Sequence, residues 1–321
     1  FPRLCRAAGA LSSDAAMPEP LWRAPGRGVK QAVMNYRHAY HAGNFADVVK
    51  HAVLALLIER LKAKDKGFRV IDTHAGIGLY DLQGPLAGKT EEWKRGVGRL
   101  VNADLSPVKM PAKLAEVLAP YFAALRAANP EGRLRFYPGS PVLARLLLRP
   151  VDRLTAVELH PDDARQLMAR FAGDIQVKAI ELDGWLALGS FVPPKERRGL
   201  VLVDPPYEEQ NEFRTLTEGF IKAWQRWPTG VYALWYPVKD IGAVKNFHKR
   251  LAESNIPRLL AAELWVRERA TPDSFNGTGL VICNPPWKLD AALETLLSGL
   301  VPLLGEDEAA GRRSWWIRGE E

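Results

Sequence analysis

The sequence predicts an α/β protein: a doubly wound, mostly parallel sheet carrying a small helical insertion. Three observations point there. Short apolar, β-branched-rich runs alternate with amphipathic helical stretches along most of the chain. The first such run, Phe68 to Ile71, leads into Asp72-Thr73-His74-Ala75-Gly76-Ile77-Gly78. An acid followed by a Gly-x-Gly turn lets backbone approach a nucleotide closely. A later run, Gly199 to Val203, stops at Asp204-Pro205-Pro206-Tyr207. Two residues with fixed φ and no N–H cannot continue a ladder, so the strand ends in a stiff turn. Ligands of open α/β sheets sit at the carboxyl ends of strands, which makes both turns candidate binding ground.

The chain of 321 residues suits one large domain with insertions, and a hydrophobic fraction of 47% is ample for its core. No apolar run approaches ~18 residues, so no membrane span is expected. Two cysteines, Cys5 and Cys283, form neither a disulfide framework nor a zinc motif and point to a reducing, cytoplasmic compartment. A formal net charge of +7 biases the protein towards a polyanionic partner. Residues 1–33 are unlike the rest: Ala-, Pro-, Arg- and Gly-rich, without amphipathic period, with Arg3, Arg6, Arg23, Arg27 and Lys30 against Asp14 and Glu19. They are expected to be disordered, and Met34 is expected to be the native start, the upstream piece being an over-extended translation or a fused remnant, with a targeting peptide as the competing reading of so basic a stretch.

From Asn35 to Asn44 the chain is polar and aromatic. Asn44 is a plausible N-cap for a helix whose apolar residues run from Phe45 to Leu61 at helical spacing, with Lys50 and His51 near its amino end. His38, His41, Asp47 and His51 lack a strong zinc spacing, and no metal is expected. Residues 81–136 read as the helical insertion: a helix around Thr90 to Val101, and a second from Ala112 to Ala128 that Pro120 is expected to kink or break. Its lysines and arginines suggest either a solvated face or a surface for docking substrate. Ser140, ahead of Pro141, is placed to N-cap the next helix, whose amino end can receive a carboxylate. Glu158 closes the second sheet strand, where an acid can accept from ribose hydroxyls. Asp183-Gly184 closes the third and can meet an adenine edge.

The Asp204 turn offers a carboxylate, a proline carbonyl and an aromatic ring, a set suited to a flat base with an exocyclic amine. The same grammar recurs at Asn284-Pro285-Pro286-Trp287. Order along the chain favours Asp204. Its strand is the fourth, which in a doubly wound sheet crosses back to lie beside the first, at the topological switch point. The Asn284 strand comes last and is expected farther from the crevice.

Asp204-Pro205-Pro206-Tyr207 resembles motif IV of S-adenosylmethionine-dependent amino-methyltransferases. Residues 34–318 resemble one bacterial family, the 23S ribosomal RNA adenine-N6 methyltransferases of the RlmJ type. The matching segments include Tyr36-Arg37-His38, His41-Ala42-Gly43-Asn44, Asp47 to His51, Asp72 to Gly76, Tyr137 to Pro141, Glu158 to Pro161, Asp183-Gly184, Ala233 to Pro237 and Asn284 to Lys288. The arginine that the family carries after the Gly-x-Gly turn is absent here, where Ile77-Gly78-Leu79-Tyr80 stands. The resemblance implies a class I methyltransferase fold and S-adenosylmethionine as cofactor. It implies cofactor contacts from Lys50, His51, His74, Ser140, Glu158, Asp183, Gly184 and Asp204, with chemistry at Asp204, Pro205, Pro206 and Tyr207. It also implies that Tyr36 and His38 belong to an amino-terminal motif that orders over the substrate, 23S ribosomal RNA; no membrane and no obligatory protein partner are expected. Three other readings compete: a DNA adenine-N6 methyltransferase, a glutamine-N5 protein methyltransferase, and an idle RNA-binding protein that keeps the cofactor.

Overall fold

A computed structural model describes residues 40–209, 211–269 and 274–319. The expectations for residues 1–33, and for Tyr36 and His38, fall outside these described residues. In chain order the elements are α1 (Phe45–Lys62), β1 (Arg69–Asp72), β2 (Leu79–Asp81), α2 (Ala87–Thr90), α3 (Ala112–Ala128), β3 (Phe136–Pro138), α4 (Ser140–Leu147) and β4 (Arg153–Glu158). They continue with α5 (Pro161–Arg170), β5 (Val177–Glu181), α6 (Gly184–Ser190), β6 (Gly199–Val203), α7 (Glu212–Arg226), β7 (Val231–Val238) and α8 (Ile241–Glu253). The chain closes with β8 (Leu259–Trp265), β9 (Gly277–Cys283), α9 (Leu289–Leu304) and β10 (Gly311–Arg318).

The main sheet has eight strands in the order β10-β8-β9-β7-β6-β1-β4-β5. β5, β4, β1, β6 and β7 run parallel, whereas β9 lies antiparallel between β7 and β8, and β10 pairs antiparallel with β8. The chain therefore winds outward from β1 to β5, then returns to place β6 on the other side of β1. That return is the switch point anticipated from strand order, and the predicted doubly wound fold is the one observed. One face of the sheet packs against α1, α3, α4 and α9, the other against α6, α7 and α8.

Helix α1 deserves its central place because almost nothing of it reaches solvent. Asn44 caps it as expected, its side chain accepting from the Asp47 amide at 3.0 Å. Beyond the cap, burial covers all sides of the helix, including Asp47, Lys50 and His51. The sheet lies under it and α3, α4 and α9 surround it, so a helix that is apolar nearly all round finds partners nearly all round.

Four details differ from expectation. Thr90 to Val101 is not one helix: four-residue α2 is followed by two 3-10 turns, Glu92–Lys94 and Val97–Arg99. Gly96 explains the interruption. A Cβ there would lie 2.1 Å from the Gly43 carbonyl oxygen, and the next amide, Val97, donates to that oxygen at 2.8 Å. Glu92 takes His41 Nδ1 and Asn44 Nδ2, each at 3.0 Å. The segment is folded as a grip on the start of α1. Helix α3 runs through Pro120 unbroken, because burial of Leu114, Leu118, Tyr121, Phe122 and Leu125 outweighs one missing hydrogen bond. Strand β10 escaped the sequence reading, since Arg-Arg-Ser-Trp-Trp-Ile-Arg has no two-residue apolar alternation; as an edge strand it needs none. Ser140 is the first helical residue of α4, with Gly139 at the cap position, so its hydroxyl is not the cap that was expected.

Among the described residues no helix is long and apolar enough to cross a membrane.

Candidate active site

Asp204 stands one residue beyond β6, the strand flanked by β1 and β7. Its Oδ2 lies 2.5 Å from Nζ of Lys50, which projects from the second turn of α1. Lys50 also reaches Asp47 Oδ1 at 2.9 Å and lies 5.3 Å from the ring centre of Trp235 on β7. The ammonium is 3% exposed and Asp47 2%, so this is a buried row of carboxylate, ammonium and carboxylate. Burial pulls the Lys50 pKa down, but the charges of Asp204 and Asp47 outweigh it and hold the pKa above its ordinary value. Asp47 is itself fixed, accepting the Gly43 amide at 2.9 Å. The sequence brought Lys50 and Asp204 to attention separately; the structure joins them across 154 positions.

The turn after Asp204 is rigid. Pro205 is buried, and Tyr207 adopts φ 54°, a left-handed conformation unusual for a tyrosine. Its hydroxyl donates to the Trp235 carbonyl at 2.9 Å, and its ring packs against Phe213 at 5.0 Å and Trp235 at 5.7 Å. With both ends fixed, the ring has one pose. Below it, Glu212 opens α7 as a buried carboxyl, pushed up to about 7 chiefly by burial, against a downward pull from the Tyr207 backbone N–H.

Across the switch point lies the Gly-x-Gly turn. Gly76 and Gly78 both take positive φ, 59° and 82°, which the tight strand-to-turn path requires. Glu158 Oε2 accepts the Gly76 amide and Oε1 the His160 amide, each at 2.8 Å. One lone pair on each oxygen is thus spent on shaping the turn, and the other is left for a diol. His74 Nδ1 pairs with the Thr73 hydroxyl at 2.8 Å, and its ring meets Trp185 edge-on at 5.2 Å. Burial pulls the His74 pKa down to about 3, so the ring is neutral at physiological pH. Asp183 caps α6, accepting the Trp185 amide at 2.7 Å. A Cβ on Gly184 would lie 2.3 Å from the Thr73 carbonyl and 2.8 Å from the His74 ring, so glycine here lets α6 close on the first turn. His51 is 1% exposed and bonds the Tyr137 hydroxyl at 2.9 Å. It is thus one of the most deeply set residues singled out from the sequence.

Asp72, the acid ending β1, is the residue the sequence reading passed over. It is 1% exposed, and its carboxylate oxygens close no hydrogen bond of good geometry, although the Ser140 hydroxyl and the His74 amide lie near enough to act on them. Burial pushes its carboxyl up to about 7, aided by Asp204, against pulls from the Ser140 hydroxyl, the His74 amide and Lys50. An unsatisfied carboxyl at the carboxyl end of a central strand is a place for a donor-bearing ligand. Because its folded pKa exceeds its unfolded value near 3.9, its contribution to stability is complete below that value and is lost as pH rises through about 7. Asp72→Asn is therefore expected to raise the melting temperature of the free protein by several degrees at pH 8 and much less at pH 5. Equal shifts at both values in differential scanning calorimetry would contradict the assignment.

A model of the family described as "Ribosomal RNA large subunit methyltransferase D, RlmJ" matches residues 65–317. Ribosomal RNA large subunit methyltransferase J of Escherichia coli (strain K12) is 40% identical over 274 residues, spanning 84% of this chain and 95% of that protein. The chain belongs to the RlmJ family. Its Haemophilus influenzae relative is 39% identical over 292 residues, spanning 90% of this chain and all of that protein. Among solved structures, protein LPL1258 from Legionella pneumophila superposes with a TM-score of 0.75 at 30% identity, covering 86% of this chain and 98% of that one.

Membership of the RlmJ family makes the protein a class I methyltransferase, with S-adenosylmethionine as cofactor. The residues present suit that molecule. Orphaned Asp72 lies beside the Gly-x-Gly backbone, Glu158 has lone pairs for a ribose, and neutral His74 with Asp183-Gly184 walls the next strand end. The second Pro-Pro turn of the family pattern is elsewhere. β9 runs antiparallel to β7, with Cys283 opposite Tyr232, so Asn284 emerges at the opposite end of the sheet from Asp204. There its amide donates to the Pro228 and Gly230 carbonyls at 2.7 and 2.8 Å. Asn284→Ala is expected to cost about 1–3 kcal/mol of stability while leaving kcat of the folded enzyme unchanged, as denaturant titration and turnover at saturating RNA would show. Among the described residues, no group of three or more His, Cys, Asp or Glu side chains is placed to hold a metal ion.

Proposed function

We propose that the protein methylates N6 of an adenine in 23S ribosomal RNA, acting in the cytoplasm on protein-free or early-assembly RNA. The observation that carries this reading is Asp204, fixed by Lys50 on a rigid Pro-Pro-Tyr turn at the switch point of the sheet. S-adenosylmethionine supplies an electrophilic methyl group on a sulfonium. Everything else falls to the chain. The lone pair of an exocyclic amine is delocalised into the base, so the nitrogen is a poor nucleophile until its geometry changes. Asp204 Oδ2 is committed to Lys50, which leaves Oδ1 to accept one N6–H bond; the Pro205 carbonyl accepts the other. Two acceptors aimed at the amine draw it towards the tetrahedral form that develops as the N–CH3 bond forms and the S–CH3 bond breaks. In-line positioning is the larger contribution. The proton lost from N6 passes to Asp204 and then to water. Tyr207 supplies a face for stacking, with Tyr36 and His38 closing over the RNA. An adenine in a duplex has to leave the stack to reach this turn.

Labelled-methyl transfer to deproteinised 23S ribosomal RNA, intact large subunits, DNA and a release factor tests the proposal. Label in a single adenine of the free RNA, recovered as N6-methyladenine, is expected. Label in DNA or in a glutamine of the release factor would replace this reading by one of its competitors, and label in none of the four would leave the idle RNA-binding protein.

A further inference from the structure

We propose that the Pro-Pro-Trp turn at the far end of the sheet is a second RNA-docking site, where an unpaired base stacks on Trp287 and its flanking phosphates lie on Arg60, Lys288 and the lysines that follow α1. The inference rests on the ribosomal RNA reading above and adds a contact remote from the reacting base.

Trp287 is 81% exposed, so its indole contributes little to the fold. The backbone beneath it is nevertheless held from several directions. Asn284 is tied to the Pro228 and Gly230 carbonyls, and its own amide donates to Arg258 at 3.0 Å. Arg258 donates to the Pro285 carbonyl at 3.1 Å, and Arg60 to the Trp287 carbonyl at 2.6 Å. Asn284 and Lys288 both sit at positive φ, 52° and 58°, without being glycine. Strained backbone of this kind persists where surrounding bonds over-determine it. The result is a large aromatic surface displayed on a fixed support, which has little freedom left to lose when something stacks on it.

The surroundings of that support are cationic, and much of the charge is not neutralised. Arg60 donates to the Trp287 and Lys288 carbonyls, and Arg198 to the Leu61 and Lys66 carbonyls. Carbonyl oxygens satisfy N–H groups without cancelling charge. Arg149 spans the carbonyls of Lys62, Lys64 and Lys66 and is paired with Asp152. Burial first, and the Arg149 charge second, pull the Arg198 pKa down, with the Asp152 carboxylate opposing them. Lys64, Lys66 and Lys288 are exposed on the same rim. The acids there are Glu59, already paired with Lys62, exposed Asp65 and Asp290, and Asp152, which is fully buried. Cations tracking a backbone beside an exposed aromatic are the recognised means of holding single-stranded nucleic acid. The site lies roughly 15 Å of strand away from Asp204 at 3.3 Å per residue. A contact there raises the local concentration of substrate without touching the chemistry.

The test uses the full chain and a complete 23S ribosomal RNA transcript. Two variants are compared with wild type: Trp287→Ala, and Lys64→Glu combined with Lys288→Glu. Trp287→Ala is expected to raise KM and the filter-binding Kd about tenfold, with kcat and cofactor affinity unchanged and Trp287→Phe restoring most of the loss. The charge reversals are expected to flatten the dependence of log Kd on log salt by about one unit per phosphate contact removed. Wild-type KM, Kd and salt slope in both variants would overturn the proposal, including the case in which Trp287 serves a protein partner instead. RNA binding that depends on Trp287, with no methyl transfer by wild type, would keep the docking site and discard the assigned activity.

Discussion

Asp204→Ala is expected to abolish methyl transfer while leaving the protein folded. On the proposed mechanism the substitution deletes both the acceptor that orients N6 and the group that takes its proton. A lost oriented acceptor costs roughly 10²–10³ in rate and a lost general base roughly 10²–10⁴; because one carboxylate does both, the effects overlap and a fall in kcat of about 10³ or more is expected. The fold survives because Lys50 keeps its second partner, Asp47, at 2.9 Å. Single-turnover rates with labelled cofactor measure the loss, and a circular dichroism melt verifies the fold. A variant that turns over at the wild-type rate would end the assignment of Asp204 to the chemistry.

Lys50→Met has a wider effect, because it strands two carboxylates in one buried pocket. Removing one partner of a buried ion pair costs about 3–5 kcal/mol, and here one cation serves both Asp47 and Asp204. The pH dependence changes with it. In the native protein the Lys50 pKa is held above its unfolded value near 10.4, so the row contributes its stability throughout the neutral range and loses it only at strongly alkaline pH. Without the ammonium, one of the two carboxyls retains a proton at neutral pH, as close like charges require. The proposed mechanism uses ionised Asp204, so residual activity is expected to climb with pH between 6 and 9 more steeply than that of the wild type. Stability should fall over the same range. A pH–rate profile parallel to the wild type would show that Lys50 does not set the charge of Asp204.

Much of this arrangement was legible in the chain, for identifiable reasons. Strand ends announce themselves when an acid stands there with Gly-x-Gly or Pro-Pro behind it, as after β1 and β6, and β4 ends at an acid, Glu158, ahead of Leu159-His160-Pro161. Chain order then set β6 beside β1 and the Asn284 turn at a distance. The unread part is what distance in sequence hides. Nothing local to Lys50 foretells that its ammonium meets Asp204, because that contact depends on how α1 packs over the sheet. Asp72 sits inside a recognised motif, yet its missing partners appear only once every neighbour is in place. The 3-10 turns after Thr90 follow from Gly96 having to lie on the Gly43 carbonyl, a constraint written 53 residues away from its cause. Conversely, Ser140 looked like a cap and is not one, since Gly139 already turns the chain into α4.

The burial of Lys50 also determines what kind of amine it is. Acylating, carbamoylating and aldehyde reagents attack the neutral amino group, and a pKa held above the ordinary lysine value leaves almost none of that species at pH 7. With Nζ enclosed between two carboxylates and the indole of Trp235, reagent has no approach either. The amine paired with Asp204 is thus one that covalent labelling passes over, while exposed Lys64, Lys66 and Lys288 take the modification. A lysine-labelling map of the folded enzyme would read as a record of its surface, with its centre left blank.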